Sequence, residues 1–165
     1  AIGGWLGFLP QTSDLAPGTI GENIARFGEA APDAIEAAVR MADATAMIAA
    51  LPKGLDTEVG EAGAHLSAGQ RRRIALARAL FGSPVLVCLD EPEANLDRDG
   101  EVALARALQQ LKAAGSTVLS AAHRPSVVAH VDLVMVINEG RIAQFGPAAE
   151  VMPAIAAGNV RRVGQ

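Results

Sequence analysis

The run Val85-Leu86-Val87-Cys88-Leu89 is continuously apolar and ends at Asp90-Glu91-Pro92. An apolar stretch this short, without polar alternation, reads as a strand covered on both faces, as in parallel sheets flanked by helices. Leu96-Asp97 leads into a helix expected from about Arg98 to Ala113, with Leu104, Leu108 and Leu111 on one stripe and Gly115 closing it. Thr117 to Ala122 is a second apolar strand. Strand, crossover helix and strand in that order predict a parallel sheet and an α/β class.

Upstream the pattern differs. Trp5 to Leu9 reads as a short buried strand ending at Pro10-Gln11. Thr19, with Glu22 three residues on, has the spacing of a capping box and opens a short helix through Phe27. Pro32 and Asp33 open a helix to about Ala50, with Ile35, Ala38, Val39, Ala42, Ala46 and Ile48 largely at helical spacing. Residues 52–65, with Gly54, Gly60 and Gly63, are loop-like. Another helix is expected from about Ser67 to Phe81, stopped by Gly82-Ser83-Pro84. Near the other end a short helix is expected after Pro125. Asp132 to Ile137 and Arg141 to Phe145 flank Asn138-Glu139-Gly140 as a hairpin, and Pro147 to Ala157 is a last helix. The division that follows is a core strand over 1–11, a helical block over 12–81, a second core segment over 82–158 and a frayed tail over 159–165.

Composition narrows the class. The 165 residues are half apolar, enough for a real core and against wholesale disorder. With four Phe, one Trp and no Tyr, that core must pack on small aliphatic side chains. A net charge of −4 argues against a general nucleic-acid surface. The single cysteine, Cys88, has no disulfide partner within the chain and reads as a buried thiol. No apolar stretch approaches the ~20 residues that span a bilayer. The abrupt opening on a strand, without a basic leader, suggests a truncated chain.

Two clusters carry chemistry. Carboxylates at the carboxyl end of a buried strand sit where open α/β sheets place ligands. Asp90 is suited to a hydrated Mg²⁺, which wants hard oxygen ligands, and Glu91 to polarising a water. Leu66-Ser67-Ala68-Gly69-Gln70 is a small polar turn opening a helix. Its backbone N–H groups attract phosphate, and its glycine admits close approach. Arg71, Arg72 and Arg73 follow, either solvated or offset by a bound anion. Gln11 can ligate Mg²⁺ or hold a water, and His123, at the end of an apolar strand, can donate to a phosphate. Taken singly, Gln11 is better read as an exposed loop residue, and a lone histidine at a strand end is more often structural. His65 and His130 read as structural. Together the clusters read as half of a nucleotide-hydrolysis site. The other half, a glycine-rich phosphate loop ending in Gly-Lys-Ser/Thr, is absent from the 165 residues.

Read in order, these pieces resemble the nucleotide-binding domain of ABC transporters. Gln11 resembles the Q-loop, Leu66 to Gln70 the signature, and Val85 to Asp90 Walker B, with Glu91 as catalytic glutamate. Asn95-Leu96-Asp97 is similar to the D-loop and His123 to the switch histidine. Thr57 to Gly63 resembles the exporter loop that senses the membrane domain. Phe8 to Gln11, Gly18 to Ile24, His123 to Ser126 and Gly140-Arg141 are similar to bacterial type I secretion ATPases of the protease/lipase export group. The resemblance implies a RecA-like P-loop NTPase sheet, incomplete here, with an ABC-type helical subdomain. It implies ATP and Mg²⁺ as ligands and a head-to-tail dimer with a second nucleotide-binding domain. Ser67, Ala68, Gly69, Gln70 and Asp97 would then bind nucleotide, the Ser67 and Gly69 turn serving the partner's ATP. Gln11 and Asp90 would hold the metal, and Glu91 and His123 would be catalytic.

The implied protein is the C-terminal part of an exporter's ATP-binding subunit, at the cytoplasmic face of the bacterial inner membrane. It would couple ATP hydrolysis to protein secretion. Its partners would be the exporter's transmembrane domain and, in that group, membrane-fusion and outer-membrane secretion proteins. Nucleic acid is not among them. Two other readings stand beside it: a soluble ABC ATPase acting in DNA repair or translation, and an ATPase-dead binding module. Ala68 departs from the usual Leu-Ser-Gly-Gly-Gln, and its Cβ is expected to crowd a γ-phosphate. Walker A and the adenine-stacking aromatic are missing, so the chain alone is expected to be inactive. The parallel sheet of this chain should then lack a central strand, leaving the chain prone to instability or self-association.

Overall fold

The computed structural model describes residues 5–94, 96–122 and 131–157. The chain divides into two compact units, Ala1–His123 and Arg124–Gln165.

The first unit is built on a three-stranded, all-parallel sheet of β1 (Leu6–Leu9), β2 (Leu86–Asp90) and β3 (Thr117–Ala121), in the order β1-β2-β3. The strands adjoin without a gap. Leu6 pairs with Leu86 and Leu9 with Leu89, while Leu86 pairs with Thr117 and Asp90 with Ala121. The strands therefore end together, and whatever follows Leu9, Asp90 and Ala121 emerges at one edge. This is the α/β architecture expected from the strand–helix–strand pattern.

Between β1 and β2 lie α1 (Ile20–Ile24), α2 (Pro32–Met41), α3 (Thr45–Ala49) and α4 (Ala68–Leu80). Local chemistry sets their starts. The Thr19 side chain accepts from Glu22 N, and Glu22 Oε2 accepts from Thr19 N at 2.7 Å, a complete capping box. Helix α1 stops at Ile24, earlier than the sequence suggests, because Arg26 and Phe27 take positive φ. The single helix expected from Pro32 to Ala50 is two helices. Asp43 adopts φ 50°, which a short polar side chain tolerates, and its carboxylate accepts from Arg106 at 3.1 Å. That turn lets Ala38, Val39, Ala42, Ala44 and Ile48 all reach the core.

Helix α4 is the hub. It packs on α1, α2 and β1, with Ile74, Ala75, Ala77, Ala79 and Leu80 almost wholly buried. Helix α5 (Arg98–Ala113) starts at Asp97, whose side chain accepts from Gly100 N, and buries Leu104, Leu108 and Leu111 while packing on β3. Small aliphatic side chains fill this core, as the composition requires.

The sheet departs from expectation on its second face. Alternate residues Gly7, Leu9, Val87 and Leu89 are buried, but Phe8, Leu86 and Leu119 are 55%, 39% and 64% exposed. Trp5 and Val85, expected within buried strands, are also exposed. Cys88, paired between Phe8 and Leu119, is half-buried rather than buried. The apolar runs do signal parallel strands, but within this unit the packed helices α4 and α5 bury only one set of alternating residues.

The second unit is an antiparallel hairpin of β4 (Leu133–Asn138) and β5 (Arg141–Pro147) followed by α6 (Ala148–Ala156). Glu139 and Gly140, both at positive φ, make the two-residue turn. Helix α6 packs on both strands, and Val151 is its buried anchor. The short helix expected after Pro125, His130 and the tail over 159–165 fall outside the described residues.

Candidate functional site

The register of β1 on β2 builds the site. Leu9 faces Leu89, so two residues further on Gln11 comes level with Glu91. The Gln11 side-chain amide donates to Glu91 Oε2 at 2.9 Å, across a sequence separation of 80. A loop glutamine and a strand-end glutamate, far apart in sequence, thus meet where a parallel sheet presents its strand ends. Asp90 closes β2 beside them, half-buried. His123, which follows β3 in sequence, and Asn95, which precedes α5, lie outside the described residues.

Glu91 has an unusual backbone. Its φ of 43° is in the left-handed region, which a non-glycine residue occupies only when its surroundings insist. Those surroundings are explicit. Its N–H donates to Ala121 O at 2.8 Å, and its carbonyl accepts from Ala94 N at 2.9 Å and from Arg72 Nη2. The turn aims the carboxylate out of the strand line toward Gln11.

Arg72 is the residue that sequence reading misjudged. It is 4% exposed, neither solvated nor turned toward an anion. Nη1 donates to Pro10 O at 2.7 Å, Gln11 O at 3.0 Å and Ser13 Oγ at 2.9 Å. Nη2 donates to Asp90 O at 2.8 Å and to Glu91 O, and Nε reaches Pro92 O at 3.4 Å. Burial pulls its pKa below the ordinary arginine value, while the negative charges of Glu93, Asp90 and Glu91 oppose that shift. Glu93, also missed in the sequence, is 3% exposed beside this cluster. An arginine in a basic triplet gives no local sign of which member turns inward. Arg71 is spent as well, donating to Leu66 O at 2.6 Å and Gly63 O at 3.3 Å.

The turn before α4 forms as its sequence dictates. Ser67 Oγ accepts from Gln70 N at 3.2 Å, and Gln70 Oε1 accepts from Ser67 N at 2.8 Å. The Ser67 hydroxyl, having accepted one bond, keeps its own proton to donate. Ser67 and Ala68 are exposed, and a Cβ added at Gly69 would meet nothing within 4 Å. The chain's own packing therefore does not demand that glycine. Gln70 serves as a cap, and so does Asp97, whose Oδ1 accepts from Gly100 N at 2.8 Å. The structure thus joins Gln11, Asp90 and Glu91 at one edge, and leaves Ser67 to Gln70 as a separate open turn.

The strand-end residues fit a hydrated divalent cation better than a protein-caged one. Among the described residues no group of three or more His, Cys, Asp or Glu converges on a metal position. Gln11 uses its amide N–H on Glu91, which leaves its carbonyl oxygen, with the Asp90 carboxylate, as hard donors. Two protein oxygens suit Mg²⁺, which keeps its waters and takes further oxygens from phosphate.

Comparison with known proteins covers these same segments. The ABC transporter family pattern matches residues 2–94. The chain is 52% identical to the type I secretion system ATP-binding protein PrsD of Rhizobium meliloti (strain 1021), over 92% of this chain and 26% of PrsD. It is 41% identical to the ATP-dependent lipid A-core flippase of Vibrio cholerae serotype O1, over 87% of this chain and 25% of the flippase. It is 38% identical to the ATM1-type heavy metal exporter of Novosphingobium aromaticivorans, over 89% of this chain and 24% of the exporter. Its fold matches a bacterial Atm1-family ABC exporter solved with ATP bound, with a TM-score of 0.82 and 34% identity, over 98% of this chain and 29% of that one. The chain thus spans about a quarter of the length of these relatives. The family likeness runs through the residues that build both the Gln11–Glu91 edge and the Ser67–Gln70 turn, and the chain belongs to the ABC transporter family.

Proposed function

We propose that this chain is part of the ATP-binding subunit of an ABC exporter that couples ATP hydrolysis to protein secretion across the bacterial inner membrane, working at its cytoplasmic face. The observation that carries the hydrolytic reading is the Gln11–Glu91 hydrogen bond at the shared end of β1 and β2. Glu91 orients and deprotonates the attacking water. Gln11 holds the Glu91 carboxylate in place and, with Asp90, offers oxygens to the metal. His123 donates to the γ-phosphate. Bound Mg²⁺ neutralises charge on the phosphates as it develops.

The open turn at Ser67, Ala68, Gly69 and Gln70 clasps the nucleotide of a second domain in a head-to-tail dimer, and Asp97, at the start of α5, also contributes to nucleotide binding. The exposed loop tip Glu61-Ala62, held by buried Val59, meets the transmembrane domain. Protein cargo is favoured by the higher identity to the secretion ATPase than to the lipid and metal exporters. In that setting membrane-fusion and outer-membrane secretion proteins complete the assembly. No helix among the described residues is long and apolar enough to cross a membrane, so the transmembrane domain is supplied by other residues or another chain.

The test is Mg-ATP turnover by the complete subunit against a Glu91→Gln variant. Glu91→Gln should lower kcat by about 10²-fold or more while ATP is still bound. Equal turnover by both proteins would remove Glu91 from the chemistry. Secretion of a co-expressed protein substrate, abolished by the same substitution, separates an exporter from a soluble ABC ATPase. The 165-residue chain alone should show no turnover.

A further inference from the structure

Arg72 does more than fill the junction between α4 and the sheet. Its acceptors are not scattered: Pro10, Gln11 and Ser13 belong to the loop leaving β1, and Asp90, Glu91 and Pro92 to the turn leaving β2. These carbonyls lie where the ladder ends, at positions that water could satisfy at a surface. Instead a guanidinium is desolvated to reach them, a cost that only dense hydrogen bonding offsets. Its fixed fork sets the spacing between the two groups of carbonyls, which a flexible ammonium could not do.

We infer that Arg72 is a positioning residue for hydrolysis. One side chain holds the Gln11 loop and the strained Glu91 turn in mutual register. Because Arg72 sits on the second turn of α4, it also ties both to the helix whose first turn carries Ser67 and Gly69. The Glu91 backbone is held by Ala121 on β3, by Ala94 in the turn itself and by Arg72 from α4. This inference rests on the reading of Gln11 and Glu91 as a hydrolytic pair.

The test uses the complete subunit with Arg72→Lys, Arg72→Ala and Ser13→Ala. Arg72→Lys keeps the charge and loses the fork, so kcat should fall about 10–100-fold. The KM for Mg-ATP should stay within about threefold, because the phosphate-binding groups are untouched. Ser13→Ala removes a single acceptor and should lower kcat by less, in the same direction. Free guanidinium ion should restore part of the rate of Arg72→Ala. In a Glu91→Gln background, Arg72→Lys should lower the residual turnover by a smaller factor than in the wild-type subunit, since one of the two groups being positioned is already disabled.

If Arg72→Ala does not fold, the Lys and Ser13 variants still decide the question. Wild-type kcat in Arg72→Lys overturns the inference, as does a loss of kcat matched by an equal loss of ATP-binding stoichiometry. A wild-type subunit with no turnover above its Glu91→Gln control overturns the hydrolytic reading itself, and this inference with it.

Discussion

At the scale of single residues, the chain makes choices that cost its own fold. Glu91 accepts a left-handed backbone, and Gly69 stands on a helical first turn where no described residue lies within 4 Å of an added Cβ. Both fit sites that serve something beyond the fold itself. Gly69→Ala should therefore have opposite effects on two measurements. It should stabilise the chain by about 0.5 kcal/mol in chemical denaturation, through a less flexible unfolded state. It should also lower Mg-ATP turnover of the complete subunit, since the added Cβ occupies the open space where a partner's nucleotide would approach. Unchanged turnover would place the turn outside the working interface. The helix starts at Ser67 and Asp97 were readable from sequence because a cap is settled within four residues. Arg72 was not, because its six acceptors lie 18 to 62 residues away.

At the scale of elements, α4 and β1 are locked by a close approach. A Cβ at Gly7 would lie 2.2 Å from Ala79 O, a backbone atom that cannot step aside. Arg26 adds to the same junction, donating from Nε and Nη2 to Arg78 O at 3.2 and 3.1 Å near the end of α4. Gly7→Ala should destabilise the first unit by about 1–3 kcal/mol, read as a lower urea midpoint at constant m-value. An unchanged midpoint would mean that β1 and α4 are not held this tightly. Buried Asn23 steadies the stretch between Gln11 and α1: Oδ1 accepts from Ala16 N, and Nδ2 donates to Ala16 O and Thr19 O, all at 2.9 Å. Helix starts at Thr19, Ser67 and Asp97 were legible in sequence. The break at Asp43 was not, because helical spacing continues across it and only packing in three dimensions rewards the turn.

At the scale of the whole molecule, each compact unit leaves apolar surface exposed. In the first, Phe8 and Leu119 flank Cys88 in one row across all three strands, and exposed Leu86 lies two residues before Cys88 along β2. In the second, Leu133, Met135, Ile137, Ile142 and Phe145 are each about half exposed or more. So many large apolar side chains left exposed within each unit are uncommon on soluble monomers. The 165-residue chain should therefore associate with rising concentration in sedimentation experiments, and Phe8→Thr with Leu119→Thr should weaken that association. A monodisperse monomer at high concentration would show that this surface is tolerated in water.

The sequence by itself settled what depends on neighbours along the chain: apolar runs that become strands, polar caps that start helices, and the order of motifs that marks the family. Only the tertiary structure decided which distant residues meet. The in-register pairing of Leu9 with Leu89 delivers Gln11 to Glu91, and packing of α4 turns one arginine of three inward to hold both. The physical reason is range. A cap or an alternation pattern has its energy fixed within a few residues, whereas strand register and the burial of a charge are fixed by segments that come together only when the chain has closed on itself.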